Sequence, residues 1–401
     1  MSSPNSRLPS RRALICIAAV LMFTATACGG SPSEDANQPA ATGAEDSAAA
    51  PASEPAAATQ ADASATAGVG DCSYDEVFAE VDGLEGEERT NRLVELAREE
   101  GALNVYTSST DLVDQAALFT EAYDVEVSVY RALANQLLQR LVQENEAGYA
   151  GADVFDTNSK EMAAANMEGL LQDYEGPVTD GLVDAAVQDG WVANRMTVFT
   201  VSWNTDLVQD PPTSYEDLAD PRFAGQIMME PREFDWYMAL SSYLTENGMA
   251  EAEAKDLVQR IAANATQVTG NVVHANFLAS GEFGLSTSVY SHLVDELIAT
   301  GAPIARAPAV EPVLMVPVGP GLVCTAQNPA AATLFIEWML TDAQELLLED
   351  FRVPTRESMQ GDDLRDVETF AVDVPKLVAE RTTWEQGYIE VLANAQAEPA
   401  G

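Results

Sequence analysis

Residues 101–160, GALNVYTSSTDLVDQAALFTEAYDVEVSVYRALANQLLQRLVQENEAGYAGADVFDTNSK, carry the pattern that decides the fold. Leu103 to Tyr106 is a short apolar and aromatic run that breaks at once into Thr107-Ser108-Ser109-Thr110-Asp111, residues of the kind that cap a helix start. A strand therefore feeds a helix. The helix, Leu112 to Tyr123, is followed by a β-branched run (Val125, Val127, Val129), a second helix from Leu133 to Asn145 and a third strand from Ala152 to Phe155. Strands alternating with helices of this length predict an α/β architecture, a parallel sheet covered by helices. In such sheets ligands sit outside the carboxyl ends of the strands, which is where the polar loops TSST (107–110) and DTNS (156–159) fall.

Working outward, the spacing of Leu93, Leu96 and Ala97 predicts a helix over Glu87 to Glu100 that leads into the first strand. Downstream come a helix over Met162 to Leu171 and a long β-rich run ending at Asn204. The same alternation then resumes: strand Gln226 to Met229, helices Asp235 to Thr245, Ala250 to Ala262 and Val272 to Ser280, and strand Phe283 to Thr287. Val313 to Cys324 is apolar, and Asn328-Pro329 opens a helix through Leu340. Gly319-Pro320-Gly321 reads as a turn. The length left after the N-terminal segments, roughly 330 residues, exceeds one ordinary core and implies two lobes.

The first residues read as an export signal. Arg7, Arg11 and Arg12 precede an apolar run from Ala13 to Ala27 that is too short to span a bilayer and ends in Ala25-Thr26-Ala27-Cys28. This resembles the signal peptide and lipobox of bacterial lipoproteins, which implies lipidation of Cys28; an ordinary secretory signal cut near the same alanines is the alternative. Residues 29–68 are almost wholly small and polar, with no aromatic residue, and read as a flexible tether. Cys16 leaves with the signal and Cys28 takes the lipid, so Cys72 and Cys324 are the pair left to form a disulfide in an exported chain.

Charge sets further limits. The chain has 64 acidic against 20 basic residues, a net charge of −44, with Lys160, Lys255 and Lys376 its only lysines. Nucleic-acid binding requires the opposite sign and is excluded. An acidic, lysine-poor surface suits either a high-salt habitat or simple solubility. The sequence has no G-x-S-x-G, H-E-x-x-H, P-loop, dinucleotide fingerprint or zinc-type cysteine spacing. No catalytic residue and no cofactor is assigned, and a secreted enzyme is the weaker hypothesis beside a binding protein.

The succession EGALNVYTSST (100–110), GADVFDTNS (151–159), WNTDLVQDPPTSYEDLADPRFAGQIMMEP (203–231), LASGEFGLSTSVYSHLVDELIATGAP (278–303), NPAAATLFIEWMLTDAQELL (328–347) and FRVPTRE (351–357) resembles bacterial extracellular solute-binding proteins of the iron(III)-transport type, the lipoprotein or periplasmic receptors of ABC importers. PPTSYEDLADPRFAGQI is its most specific part. The resemblance implies a two-lobe periplasmic-binding-protein-like fold of type II, with a ligand cleft between lobes joined by crossover strands. It also implies a small-molecule solute and permease subunits as partners, and a monomer held by a lipid anchor at the outer face of the cell membrane. The expected organisation is 1–27 signal peptide, 28–68 lipidated cysteine and tether, 69–195 first part of lobe 1, 196–305 lobe 2, and 306–401 the return to lobe 1 with C-terminal helices. Hinges are expected near Asn194 to Val201 and Pro303 to Pro308.

The ligand reading turns on departures from the family. Members that bind bare iron(III) supply a histidine after the first strand, a glutamate after the ADVF-like strand and a tyrosine pair in the second lobe. The matching positions here are Thr110 or its neighbours, Asn158, and Val289-Tyr290 with His292 following. Iron(III) is a hard cation that requires several anionic oxygens, so neutral Thr and Asn favour a different ligand. Thr107, Ser108, Ser109 and Thr110 with free helix-start N–H groups make an anion cradle. Arg232 offers a bidentate clamp, and Trp236, Tyr237 and Tyr290 offer apolar walls. A small anionic organic or phosphorylated compound is the leading class; iron(III) held by Tyr290 and His292 with an exogenous anion is the alternative. The other histidine, His274, reads as a solvated or packed helix residue.

Overall fold

The computed structural model describes residues 72–359, 361, 364 and 366–397. The signal peptide, Cys28 and the tether lie outside the described residues. Helices α1 (Asp75–Val81) and α2 (Gly86–Glu100) lead into β1 (Leu103–Thr107), α3 (Leu112–Tyr123), β2 (Val127–Arg131), α4 (Ala134–Glu146), β3 (Val154–Thr157), α5 (Ser159–Met167) and β4 (Leu171–Gln172). β2, β1 and β3 are parallel neighbours, as the 101–160 pattern predicts. The middle strand is buried from Val105 through Thr107 because helices cover both of its faces.

After a small hairpin, β5 (Val187–Gln188) and β6 (Trp191–Val192), the chain runs through β7 (Arg195–Asn204), β8 (Ile227–Met229), α6 (Phe234–Glu246), α7 (Glu251–Ala263), β9 (Ala265–Gln267), α8 (Asn271–Ser280), β10 (Leu285–Tyr290), α9 (Ser291–Ala299) and β11 (Ile304–Ala305). It returns along β12 (Val313–Val323) into α10 (Pro329–Leu340), α11 (Gln344–Glu349), β13 (Val353–Pro354), β14 (Thr369–Ala371), α12 (Val374–Ala379) and α13 (Arg381–Ala397). The sheet order is β2-β1-β3-β12-β7-β10-β8-β9, with β7 and β12 as the strands shared between the two halves.

The crossing differs in detail from the sequence expectation. Residues 194–201 coincide with the start of β7, which pairs with β12 up to Phe199 and with β10 from Phe199 onward. Residues 303–308 instead contain β11, which pairs back onto Trp203 and Asn204 of β7. The return runs along β12: Leu314 to Val318 pair with β7, and Gly319 to Leu322 pair with β3. Gly319-Pro320-Gly321 is therefore strand, not turn. Glycine is needed at 319 for close approach, since a Cβ there would lie 2.5 Å from the Val192 carbonyl oxygen and 2.6 Å from Ala193 Cα. Gly319→Ala should cost about 1–3 kcal/mol of stability by forcing these backbones apart. The readout is the urea midpoint; a midpoint equal to wild type would mean the strands part freely here.

Two covalent and polar clamps fix the first half. Cys72 is bonded to Cys324. Asp153, 1% exposed, accepts hydrogen bonds from the backbone N–H groups of Asn104, Gln327 and Asn328, tying β1 to the start of α10. α10 is buried along its whole length and packs on α2, where buried Arg89 meets Glu337 at 2.8 Å. At the other end of the chain, α12 packs against α5, while α13 packs against α6 and α7. Tyr388 of α13 donates a hydrogen bond to the Glu230 carbonyl (3.0 Å) and stacks on Tyr237 at 5.3 Å.

Candidate functional site

The carboxyl ends of β1 and β3 face the ends of β8 and β10 across the shared strands. Between them is a cleft of about 570 Å³, lined from the first half by Ser108, Ser109, Thr110, Asp111 and Asn158. Arg232, Asn271, Tyr290, His292 and Glu296 line it from the second half, and Arg195, Thr197, Val318 and Arg352 from the crossing. Cavities of about 640 and 690 Å³ also exist, on the outer faces near Arg89 and near Trp384. The cleft at the crossing gathers the loops that follow both β1 and β3.

Seven of the residues singled out from sequence therefore line one space: Ser108, Ser109, Thr110, Asn158, Arg232, Tyr290 and His292. Three do not. Thr107 is fully buried and donates its hydroxyl hydrogen to Asp156 at 2.6 Å, while accepting from the Ser109 N–H, so it builds the loop rather than facing the cleft. Trp236 is fully buried between Tyr215 and Tyr388. Tyr237 is covered by Tyr388 and Trp384 of α13, on the far side of α6. Neither aromatic is a cleft wall. His274 is packed, its ring nitrogens bonded to Ser286 and to the Val268 carbonyl.

The hydroxyl loop is partly spent on itself. Ser108 Oγ shares a hydrogen bond with Thr157 (2.9 Å), and Thr110 donates to Asp111 (2.9 Å). Asp111, just ahead of α3, makes no capping bond but meets Arg352 at 2.6 Å. Burial works to raise the Asp111 carboxyl, yet the Arg352 guanidinium, the Thr110 hydroxyl and Arg195 outweigh it and hold it below the usual range. Arg352 Nε is buried without a hydrogen-bond partner.

Arg195, 7% exposed, reaches Asp156 at 3.3 Å and Asn194 Oδ1 at 2.8 Å. Arg232 is clamped in two-point fashion by Glu230, at 2.9 and 3.1 Å. It projects largely into solvent, so its charge is mostly answered within its own loop. Sequence reasoning missed Arg195 and Arg352. Arg352 lies inside the FRVPTRE segment, and both were legible as cations placed near the strand crossing of a chain poor in cations.

His292 is nearly buried and held neutral. Burial, then the Arg352 guanidinium, then Arg195 push its pKa down to about 3, with Asp111 working the other way. A folded-state value depressed below the ordinary one, about 6.5, means that the unfolded chain takes up the proton first. The stability this confers is complete above that ordinary value and lost as pH falls toward the folded value. The urea midpoint should therefore drop as pH is lowered from about 6.5 to 4. His292→Gln should flatten that slope, and an unchanged slope would assign the acid sensitivity to other groups. The Tyr290 phenol is raised well above its usual range by burial and by Glu233, Asp235 and Glu230.

Among the described residues no group of three or more His, Cys, Asp or Glu is placed to hold a metal ion. Tyr290 and His292 stack at 5.9 Å, and no second tyrosine lines the cleft.

Residues 150–372 match the family model described as bacterial extracellular solute-binding protein, more than half of the chain. Iron uptake protein A1 of Synechocystis sp. is 24% identical over 272 residues, covering 62% of this chain and 74% of that one. Among solved structures, iron-bound HitA from Pseudomonas aeruginosa superposes with a TM-score of 0.61 at 19% identity, covering 72% of this chain and 99% of its own. AfuA from Actinobacillus pleuropneumoniae, with exogenous fructose-6-phosphate bound, gives 0.61 at 22% identity, covering 73% and 99%. These structural likenesses show the two-lobe periplasmic-binding-protein fold. With its own strand order and the family match together, the chain belongs to the bacterial extracellular solute-binding proteins.

Proposed function

We propose that this protein is the receptor of an ABC importer and captures a small anionic organic or phosphorylated solute by closure of its lobes. The observation that carries the reading is the convergence of Arg195, Arg232 and Arg352 on one cleft in a chain of net charge −44. Cations so scarce are gathered where the hydroxyl loop of β1 also ends. A guanidinium is the group suited to carboxylate or phosphate, and the unpartnered Arg352 Nε leaves a donor for it. The fructose-6-phosphate bound to AfuA is a solute of this class. Closure presents the loaded form to the permease, and a lipid on Cys28 would keep the receptor at the membrane surface.

Iron(III) is the second reading, favoured by the name of the Synechocystis relative and by iron-bound HitA. Here it would rest on Tyr290 and His292 and an exogenous anion on the arginines. Native mass spectrometry of gently purified protein, with metal analysis on the same sample, separates the two. A retained organic or phosphorylated mass without iron supports the anion reading, and Arg352→Gln should then weaken it about ten- to a hundredfold. Stoichiometric iron lost in Tyr290→Phe would replace it.

A further inference from the structure

The cleft continues into a recess of about 40 Å³, lined by Asn158, Ser159, Lys160, Thr197, Asp235 and Tyr290 among others. Asn158, Thr197, Tyr290 and Val318 are common to the two spaces. The recess is large enough for one ammonium-sized group, a water needing about 10–15 Å³ by the same measure. Unlike the cleft, it brings a carboxylate, Asp235, to its wall beside a lysine. Lys160 on α5 is the one cation lining it and meets Asp235 on α6 at a loose 3.5 Å. Behind this pair stand Glu233, 5% exposed, and Glu161, 8% exposed, each with its Oε2 buried and without a hydrogen-bond partner. Three carboxyl groups thus stand around Lys160, with Arg381 also acting on Glu161 and Arg232 on Glu233. Glu233 is held on its other oxygen by Asn271, at 2.6 Å, and Asn271 is itself a cleft residue whose Oδ1 is buried without a donor. Buried acceptors left over on this scale ask for a donor.

We infer that the recess takes a protonated amine of the solute whose anionic group the arginines hold, so that the ligand is a small zwitterion. This rests on the anion reading of the cleft and narrows it. The ammonium would meet the Asp235 carboxylate and the Tyr290 phenol oxygen, with Glu233 and Glu161 supplying negative potential from behind. Glu233 is pushed up to about 8, chiefly by burial, with Asp235 and Glu230 adding to the rise and Asn271 and Ser288 opposing it. The charged and titratable groups around it are Lys160 from α5, Glu230 and Arg232 from the loop after β8, Asp235 in the first turn of α6, and the Tyr290 and Tyr388 phenols. An arriving ammonium favours the ionised carboxylate, so binding should release a proton near neutral pH.

The test is calorimetry on the purified protein with two matched sets: phosphoethanolamine against ethylene glycol monophosphate and ethyl phosphate, and β-alanine against hydracrylate and propionate. The amine member of at least one set should bind about tenfold or more tightly than its hydroxyl and unsubstituted partners. In two buffers of different ionisation enthalpy it should release about one proton, which the partners do not. Asp235→Asn and Glu233→Gln should abolish that preference while leaving the plain anions bound as before. Equal affinity across a set, or a preference that survives both variants, overturns the inference and leaves the anion reading standing. If no member of either set binds, the zwitterion inference falls, and the anion reading is decided by the retained mass and metal analysis above. Proton release is read on the wild-type protein and does not depend on either variant folding.

Discussion

Removing the Cys72–Cys324 bridge, by Cys72→Ser with Cys324→Ser or by reductant, is expected to lower stability by about 3–5 kcal/mol, or roughly 4–7 °C in Tm. The bridge closes a span of 252 residues, and in the chain-entropy account longer loops lose more on release. Ser73 N–H and Oγ both donate to the Cys324 carbonyl, and buried Tyr74 donates to the Asp153 carbonyl at 3.2 Å. α1 is also held by buried Tyr74, Val77 and Val81 and by the Arg89 bond to the Val81 carbonyl, so the expected loss is the closed loop's entropy rather than release of the helix. Scanning calorimetry with and without reductant is the measurement. Coincident transitions would show that Tyr74 and its neighbours hold the N-terminal segment unaided.

Arg195→Met is expected to cost about 3 kcal/mol of stability or more and to weaken anion binding at the same time. Asp156 is fully buried, and loss of the guanidinium leaves its carboxylate with the Thr107 hydroxyl and no counter-charge from Arg195. A buried carboxylate stripped of its counter-charge is the costly outcome, whereas neutralising both members is cheap. Arg195→Met with Asp156→Asn should therefore regain most of the lost stability in urea titrations. Binding measured by calorimetry should stay weak in the double variant. Recovery of both together would reduce Arg195 to a prop for Asp156 and remove it from ligand recognition.

Much of the fold was legible because its helices are amphipathic and its strands end in polar loops. The helix read over Leu112 to Tyr123 has those bounds in the structure, and the long apolar run from Val313 is one strand. The helix expected over Met162 to Leu171 begins earlier, at Ser159, and stops at Met167, because Gly169 turns the chain at φ 68° and Leu171 joins β4. The reading of Gly319-Pro320-Gly321 failed for a different reason. Glycine and proline mark turns locally, but here a neighbouring backbone demands the missing Cβ, a non-local fact.

At the site, residues on loops after strands could be placed from alternation alone. Trp236 and Tyr237 could not, since α6 is buried on nearly every side once α13 lies over it, and periodicity names a face only when another face meets water. Arg195 and Arg352 come together through β13, which pairs Val353 with Met196 and Pro354 with Arg195 across a separation that no local pattern encodes.

The course of the last two helices bears on how such a molecule can move. α12 rides on α5 and α13 on α6 and α7, with Glu380 between them. A body connected only by the two adjacent strands β7 and β12 could bend and also twist about them. A third tie, displaced from that pair, resists torsion and leaves bending as the compliant coordinate. Under the closure proposed above, any parting of α5 from α6 would be absorbed at the Glu380 joint, and the tail of the chain would set how far the two halves travel.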